Sequence, residues 1–439
     1  MGKTPSQTFP ASRVENTYDI YIRGFVPLFA DGSIVTGRDL STSLEMTVIL
    51  KRACHIGVAL RTIFHDNRHI GSSDFPPYDA GDAYGGVMSS SQRNVHRHPW
   101  RRLLGFIGGL VGLMLIGLLI SLAISPKPGV FAIRTVFRNG DQAVTEALAK
   151  HTPDDVTSIT NEPYRPDDPD AKLDVHIPNS AIEDGTQLPT VVWTHGGAWV
   201  AGDKDEWAPY FMVLASRGYT VVGIDYSLGP EQTYPTALHQ LNDALAYIQE
   251  NAERFHIDPE NLVLAGDSAG SQLSSQFATI VTSPEYAAQV GIEPTITPEQ
   301  LKGVILYCGI YDFATYFDGT GLIGWGASVS IWAYTGNRAK TFDKNPALAE
   351  MSSLNHVTAD FPPTFISGGN ADPLTPNQSK ALATKLEELG VAVTPLFFPD
   401  NHEPGLPHEY QFNLDNADGQ HALDESVAFL ESVFSKSDQ

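Results

Sequence analysis

The chain has 439 residues, of which 42% are hydrophobic and 10% aromatic, and its formal net charge is -23. That length allows a sizeable core plus a distinct N-terminal region, and a charge of that sign repels phosphates, which excludes nucleic acid as a partner. The charge is unevenly held: residues 1–138 carry 15 Lys and Arg against 9 Asp and Glu, whereas residues 139–439 carry 13 against 42.

In chain order, residues 1–87 show no sustained helical or strand period, and their His and Arg residues are scattered among Gly, Ser and Pro. No packed fold is expected there. Met88 opens a second possible start, because MSSSQRNVHRHPWRR followed by an apolar run has the layout of a basic lead and a membrane segment. The expectation is that the biological chain begins near Met88, with residues 1–87 an artefact of the gene model or a disordered tail.

Residues 88–126 are then a basic lead plus an anchor. From Leu103 to Ile124 the run LLGFIGGLVGLMLIGLLISLAI carries no charge over about 22 residues, enough for a helix to cross a hydrocarbon core. Arg93, Arg97, Arg101 and Arg102 precede it and Lys127, Arg134 and Arg138 follow, which favours a cytoplasmic N-terminus and a C-terminal domain outside the cell membrane. The run exceeds a signal-peptide core, so an uncleaved anchor is expected, with secretion after cleavage at Ser121-Leu122-Ala123 as the alternative. The two cysteines, Cys54 and Cys308, flank this segment, so the C-terminal part has no pair for an internal disulfide.

Residues 127–170 read as a linker and lead-in segment ending in the Asp/Pro-rich ITNEPYRPDDPDAK. From residue 171 to 439 short apolar runs alternate with longer amphipathic ones, the pattern of an α/β domain. LDVHIP reads as an outer strand, LPTVVWTHGG as a buried strand, DEWAPYFMVLASRG as a helix closed by Gly218, and YTVVGIDY as a strand. TALHQLNDALAYIQENAERF reads as a helix, NLVLAGDSAG as a strand entering a tight turn, and SQLSSQFATIVTS as a helix. KGVILYCGIYDF, PPTFISGG and AVTPLFFP supply three further strands, with helices after the last two. Continuous apolar strands belong to a mostly parallel sheet covered by helices on both faces. Residues 311–350, rich in Gly, Tyr, Phe and Trp, read as an inserted cap.

A serine nucleophile needs a base, an acid to orient that base, and donors for an oxyanion. Gly266-Asp267-Ser268-Ala269-Gly270 matches the G-x-S-x-G elbow. Such a pentapeptide arises by chance in a chain of this length with a probability on the order of 0.15, so its setting between strand and helix carries the signal. His195-Gly196-Gly197 follows the strand PTVVWT and lies upstream of Ser268. The N–H groups of Gly196, Gly197 and Ala269 are the expected oxyanion donors, with His195 in a structural role. Asp372, in GGNADPLTP after the strand PPTFIS, is the expected acid, ahead of a helix capped by Thr375 with Pro376 at its first position.

Two histidines, His402 and His408, follow the last strand, and the local pattern leaves both open as the base. A metal reading of the His-Glu pairs fails, because Pro404, Gly405 and Pro407 lie between them and no helix can place them as in H-E-x-x-H. The aspartates of RPDDPDAKLD lack the Gly and terminal Glu of a calcium loop.

Over roughly residues 170–435 these motifs resemble the hormone-sensitive-lipase-like branch of the α/β-hydrolase fold, a group of bacterial carboxylesterases. HGGAW is similar to that family's HGGG-type oxyanion loop and GDSAG to its elbow. Asp225-Tyr226-Ser227-Leu228-Gly229-Pro230-Glu231 resembles its D-Y-R-L-A-P-E segment, and Asp372-Pro373-Leu374 its D-P-L acid loop. Ala198 stands in place of the third oxyanion glycine, and LPHEYQF in place of H-G-F. The resemblance favours His408 as the base and implies an α/β-hydrolase domain that cleaves carboxylic esters of short or medium acyl chain through an acyl-enzyme, with no cofactor. The same residue set also serves amide or peptide cleavage, and a non-catalytic binding protein on this fold is a third reading.

Overall fold

The computed structural model describes residues 99–435, so the expectations for residues 1–87 and for Met88 lie outside the described residues. The chain divides into two compact units whose boundary falls between Leu110 and Val111. Of the smaller, only residues 99–110 are described, the first part of helix α1 (Pro99–Ile124). The apolar run Leu103–Ile124 within α1 is long and apolar enough to cross a membrane, and none of it is buried.

Helix α2 (Lys127–Ala149) follows, with Pro128 in its first turn where a missing N–H costs nothing. Its apolar residues recur every three or four positions, which places Val130, Ile133 and Leu148 in the interior. Strand β1 (Val156–Pro163) comes next. Both elements lie where the sequence suggested a linker. β1 escapes the pattern because it is an edge strand with no buried residue, so it shows no continuous apolar run.

The remaining strands are β2 (Lys172–Pro178), β3 (Leu188–Thr194), β4 (Thr220–Ile224), β5 (Ile257–Asp267), β6 (Leu301–Tyr307), β7 (Thr364–Gly368) and β8 (Val393–Phe397). The eight form one sheet in the order β1-β2-β4-β3-β5-β6-β7-β8. β2 runs antiparallel to both β1 and β4, and every other pairing is parallel. The expected outer strand LDVHIP is thus second from the edge.

Alternate residues of the central strands feed two separate cores. Val191, Trp193, Val221, Val263, Ala265, Ile305, Tyr307 and Phe365 point to one side, and Val192, Val222, Leu264, Val304, Leu306 and Ile366 to the other. Burial of both faces erases the period of two that a half-exposed strand would show.

Helices α3 (Ala208–Ala215), α4 (Thr236–Glu250), α5 (Ser268–Thr282), α6 (Gly321–Thr335), α7 (Ser379–Glu388) and α8 (Ala417–Phe434) cover the sheet. Every residue of α5 is buried. The helix expected at Thr375-Pro376 begins later, at Ser379. Residues 373–378 form turns instead, and the Gln378 side chain there accepts the N–H groups of Tyr311 and Asp312 at 2.7 and 2.8 Å, tying this stretch to the chain beyond β6.

Candidate active site

Ser268 sits between β5 and α5, at the C-terminal edge of the parallel strands, with φ of 47°. A non-glycine residue held at positive φ stores strain that the surroundings must impose. Glycines on both sides make that turn sterically possible. A methyl group on Gly270 would overlap the Thr194 carbonyl, and one on Gly266 would lie 2.5 Å from the Gly270 carbonyl carbon. The elbow is thus pressed directly against the end of β3, from which the HGGAW loop departs.

That loop turns back on itself. Gly197 has φ of 90°, and its carbonyl accepts the N–H groups of Val200 and Ala201 at 3.1 and 2.9 Å. Gly196 lies against Ser268, where a Cβ would come within 3.2 Å of the serine Cβ. His195 is buried, stacked on Tyr226 with ring centroids 4.4 Å apart, and its Nδ1 lies 2.9 Å from the Gly196 carbonyl. Burial pushes its pKa down to about 4, so the ring is neutral and serves as a rigid prop. The Tyr226 hydroxyl donates to the carbonyls of His195 and Gly196 at 3.1 Å each.

Asp267 supports the loop from below. Its Oδ1 accepts the Trp193 indole N–H at 2.8 Å, and Oδ2 faces Gly196. Burial raises its pKa well above the ordinary carboxylate range. Neither Asp267 nor Trp193 stands out in sequence as a support, because that role exists only once β3 and β5 are neighbours.

The structure brings Ser268, His408 and Asp372 together. His408 Nε2 lies 3.0 Å from Ser268 Oγ, and Nδ1 lies 2.8 Å from Asp372 Oδ2. The second Asp372 oxygen accepts the Leu374 N–H at 2.9 Å, the local reason for D-x-L at this turn. His402 is not brought there: its Nε2 lies 3.0 Å from Asp418 Oδ2, at the start of α8.

Burial disfavours the His408 imidazolium, but the Cys308 sulfur and the Asp372 carboxylate outweigh it and hold the pKa well above the ordinary histidine value. Cys308 is itself pushed up to about 11 by burial and stays a neutral thiol near pH 7, so Asp372 carries the stabilisation.

The run after His408 explains how the histidine is fixed. Glu409 takes φ of 61°, where H-G-F sequences have glycine, and residues 410–412 form one turn of 3-10 helix. That turn drives Gln411 and Phe412 into the core. Gln411 donates to Ser367 Oγ at 2.7 Å, and Phe412 stacks on Trp207 with centroids 3.7 Å apart. Asn370 joins the two loops, accepting the Leu406 N–H at 2.8 Å and donating to the His402 carbonyl at 3.0 Å. Among the described residues Cys308, His408 and Glu409 come close enough to suggest metal ligands. The group is a poor fit for a cation, because one imidazole nitrogen is engaged with Asp372, the other faces Ser268, and the cysteine is a thiol.

The segment around α6 meets the HGGAW loop through aromatic rings. Trp199 is fully buried, donates to Gln272 Oε1 at 3.0 Å and stacks on Tyr334 of α6 with centroids 5.5 Å apart. Tyr316 meets the same indole edge-on at 6.1 Å.

The BD-FAE family model matches residues 173–386. Esterase LipQ of Mycobacterium tuberculosis is 28% identical over 233 residues, which cover 52% of this chain and 53% of that protein. An esterase of Gibberella moniliformis is 29% identical over 212 residues, covering 46% of this chain and 63% of its own. The chain thus spans about half to two thirds of the length of these curated relatives. Among solved structures, esterase B from Lactobacillus rhamnosis superposes with a TM-score of 0.61 at 24% identity, covering 71% of this chain and 97% of that one. Strand order, elbow and these likenesses agree on the fold: the chain has the α/β-hydrolase fold, and the relatives and the solved structure it resembles here are esterases.

Proposed function

We propose that the protein is a carboxylesterase that cleaves esters of short or medium acyl chain, held at the cell membrane by the helix Leu103–Ile124 with the hydrolase domain, from about residue 171 onward, outside. The observation that carries this reading is the continuous relay from Ser268 Oγ through His408 to Asp372, at 3.0 and 2.8 Å. Neutral His408 takes the Ser268 proton as the oxygen attacks the ester carbonyl, and Asp372 steadies the imidazolium that forms.

The tetrahedral oxyanion is received by the N–H groups of Gly196, Gly197 and Ala269, the last at the N-terminus of α5, where the helix dipole adds to the donors. His408 returns the proton to the leaving alcohol. Water then attacks the acyl-enzyme by the same steps in reverse order of roles, with His408 again the base. No step asks for a cofactor.

A fluorophosphonate probe and p-nitrophenyl acetate and butyrate test this. The chain should be labelled and should turn over both esters, and Ser268→Ala should abolish both signals. His408→Ala should lose several orders of magnitude in kcat and His402→Ala little. Labelling that survives Ser268→Ala, or a His402→Ala loss matching that of His408→Ala, would overturn the assignment. A chain that neither labels nor turns over would leave the binding reading.

A further inference from the structure

We infer that the face formed by α2 and the N-terminal half of α6 is a docking surface for anionic lipid headgroups of the membrane that holds α1. The inference rests on the proposal that α1 is an anchor. Among the described residues from 125 onward, five large apolar side chains are exposed. Four of them, Phe131, Leu322, Ile323 and Trp325, lie on these two helices, the fifth being Ile182. Phe131 and Ile323 are 75% and 68% exposed, and chance scatter would not place four of five on one pair of helices.

The two helices meet closely. A Cβ on Gly129 would lie 2.8 Å from Val329 Cγ1 and 3.3 Å from the Trp325 ring, so only glycine lets α2 cross α6 at this depth. The pair is fastened to the end of the apolar helix, where Arg338, just beyond α6, donates to the Ala123 carbonyl at 3.0 Å. Phe131 stands seven residues past Ile124, about 10 Å along a helix. A bilayer spanned by Leu103–Ile124 therefore ends within reach of this face.

Charge points to the same partner. Residues 139–439 are strongly acidic, yet residues 125–140 hold Lys127 and Arg138, beside an Arg134 that is paired with Glu231, and residues 319–342 hold Arg338 and Lys340, with no acid in either stretch. Arg338 lies over the Trp332 ring at 4.9 Å and Lys340 over the Phe317 ring at 5.3 Å, the posture of cations whose stems lie on apolar surface. Aromatic and aliphatic side chains rimmed by Lys and Arg are what an interfacial helix offers to anionic headgroups.

The far side of α6 reaches the site through Tyr334 and Trp199. Docking would therefore bring α6, and through Tyr334 and Trp199 the loop beside Ser268, to the lipid boundary, where esters dissolved in the bilayer are presented.

The full chain, reconstituted in phosphatidylcholine nanodiscs with and without phosphatidylglycerol, tests this. Brominated lipid should quench the wild type more than Trp325→Phe, most strongly with phosphatidylglycerol present. The double variant Leu322→Ser, Ile323→Ser should keep its turnover of aqueous p-nitrophenyl acetate, which reports an intact fold. Its turnover of a medium-chain acyl ester carried by a bilayer-dissolved alcohol should fall at least about tenfold. Equal quenching of wild type and Trp325→Phe, or equal loss on both esters, would overturn the docking surface while leaving the anchor in place. Release of the chain from membranes by alkaline carbonate would instead remove the anchor, and the docking surface with it.

Discussion

The elbow under Ser268 and the flank formed by α2 and α6 are built on opposite rules. Around the elbow packing is tight: α5 is wholly buried, Gly196, Gly266 and Gly270 leave no room for a methyl group, and polar groups are tied across three strands. The flank leaves its largest apolar side chains in the open and, Arg134 with its partner Glu231 apart, carries cations with no acid in the same stretch of sequence. The contrast teaches that fixed geometry is spent where charge develops during reaction, whereas the surface that meets an extended partner needs only the right chemistry.

The sharpest way to break the comparison is at the acid. Asp372→Asn keeps the shape of the turn but leaves His408 without a carboxylate to orient it and to stabilise its charge. Turnover of p-nitrophenyl butyrate should fall by about 10⁴. Because His408 must be neutral to act and its pKa is raised, kcat/KM of the wild type should climb with pH through a midpoint above the ordinary histidine value of about 6.5. Residual activity in Asp372→Asn should show that midpoint moved to lower pH. An unmoved midpoint would mean that Asp372 does not set the charge of the base.

A second and smaller effect is expected at the β2–β4 pair. The Lys204 side chain is only 1% exposed, and its ammonium lies 3.0 Å from Asp174, 2.6 Å from Asp205 and 3.9 Å from Asp225. Lys204→Met removes the cation and leaves Asp174 and Asp225 facing each other in a largely dry setting. Chemical denaturation should record a loss of about 3–5 kcal/mol at neutral pH.

The sign of the pH dependence follows from burial. Asp225 is raised to about 7 by desolvation, so its contribution to stability is full below the unfolded value of about 3.9 and is lost as pH rises through about 7. Without Lys204 that loss should be steeper. A variant as stable as the wild type at pH 8 would show that the lysine is no counterion.

How much of this was legible in the sequence depends on whether a role is local. The central strands were readable as apolar runs, and Gly266-Asp267-Ser268-Ala269-Gly270 was readable as an elbow because its glycines answer a local steric demand. The choice between His402 and His408 was not local. It is made by Glu409 taking a left-handed conformation and by Gln411 and Phe412 finding places in a core that includes Ser367 and Trp207. Asn370, Asp267 and Lys204 were silent for the same reason, since their partners lie on other strands and loops. β1 and α2 were passed over as linker, the one because an exposed edge carries no apolar run, the other because its period was masked by adjacent Gly, Pro and Arg.

The smallest effect asks whether elbow and flank are separable. Arg134 is the tie between them: from α2 its Nε donates to the Val200 carbonyl at 2.6 Å, and Nη2 donates to the Gly229 carbonyl at 3.1 Å and to Glu231 at 2.6 Å. Val200 directly follows the HGGAW loop, so a loosened flank has a short path to the oxyanion donors. Yet near the oxyanion donors Arg134 reaches only the Val200 carbonyl, not the Val200 and Ala201 N–H groups that close the Gly197 turn, and not Tyr226, whose hydroxyl holds the Gly196 carbonyl. Arg134→Ala should therefore cost about 1–3 kcal/mol in unfolding free energy while leaving kcat for p-nitrophenyl acetate within about twofold. A tenfold fall in kcat with little loss of stability would mean that α2 sets the oxyanion loop after all, and the two regions would have to be treated as one site.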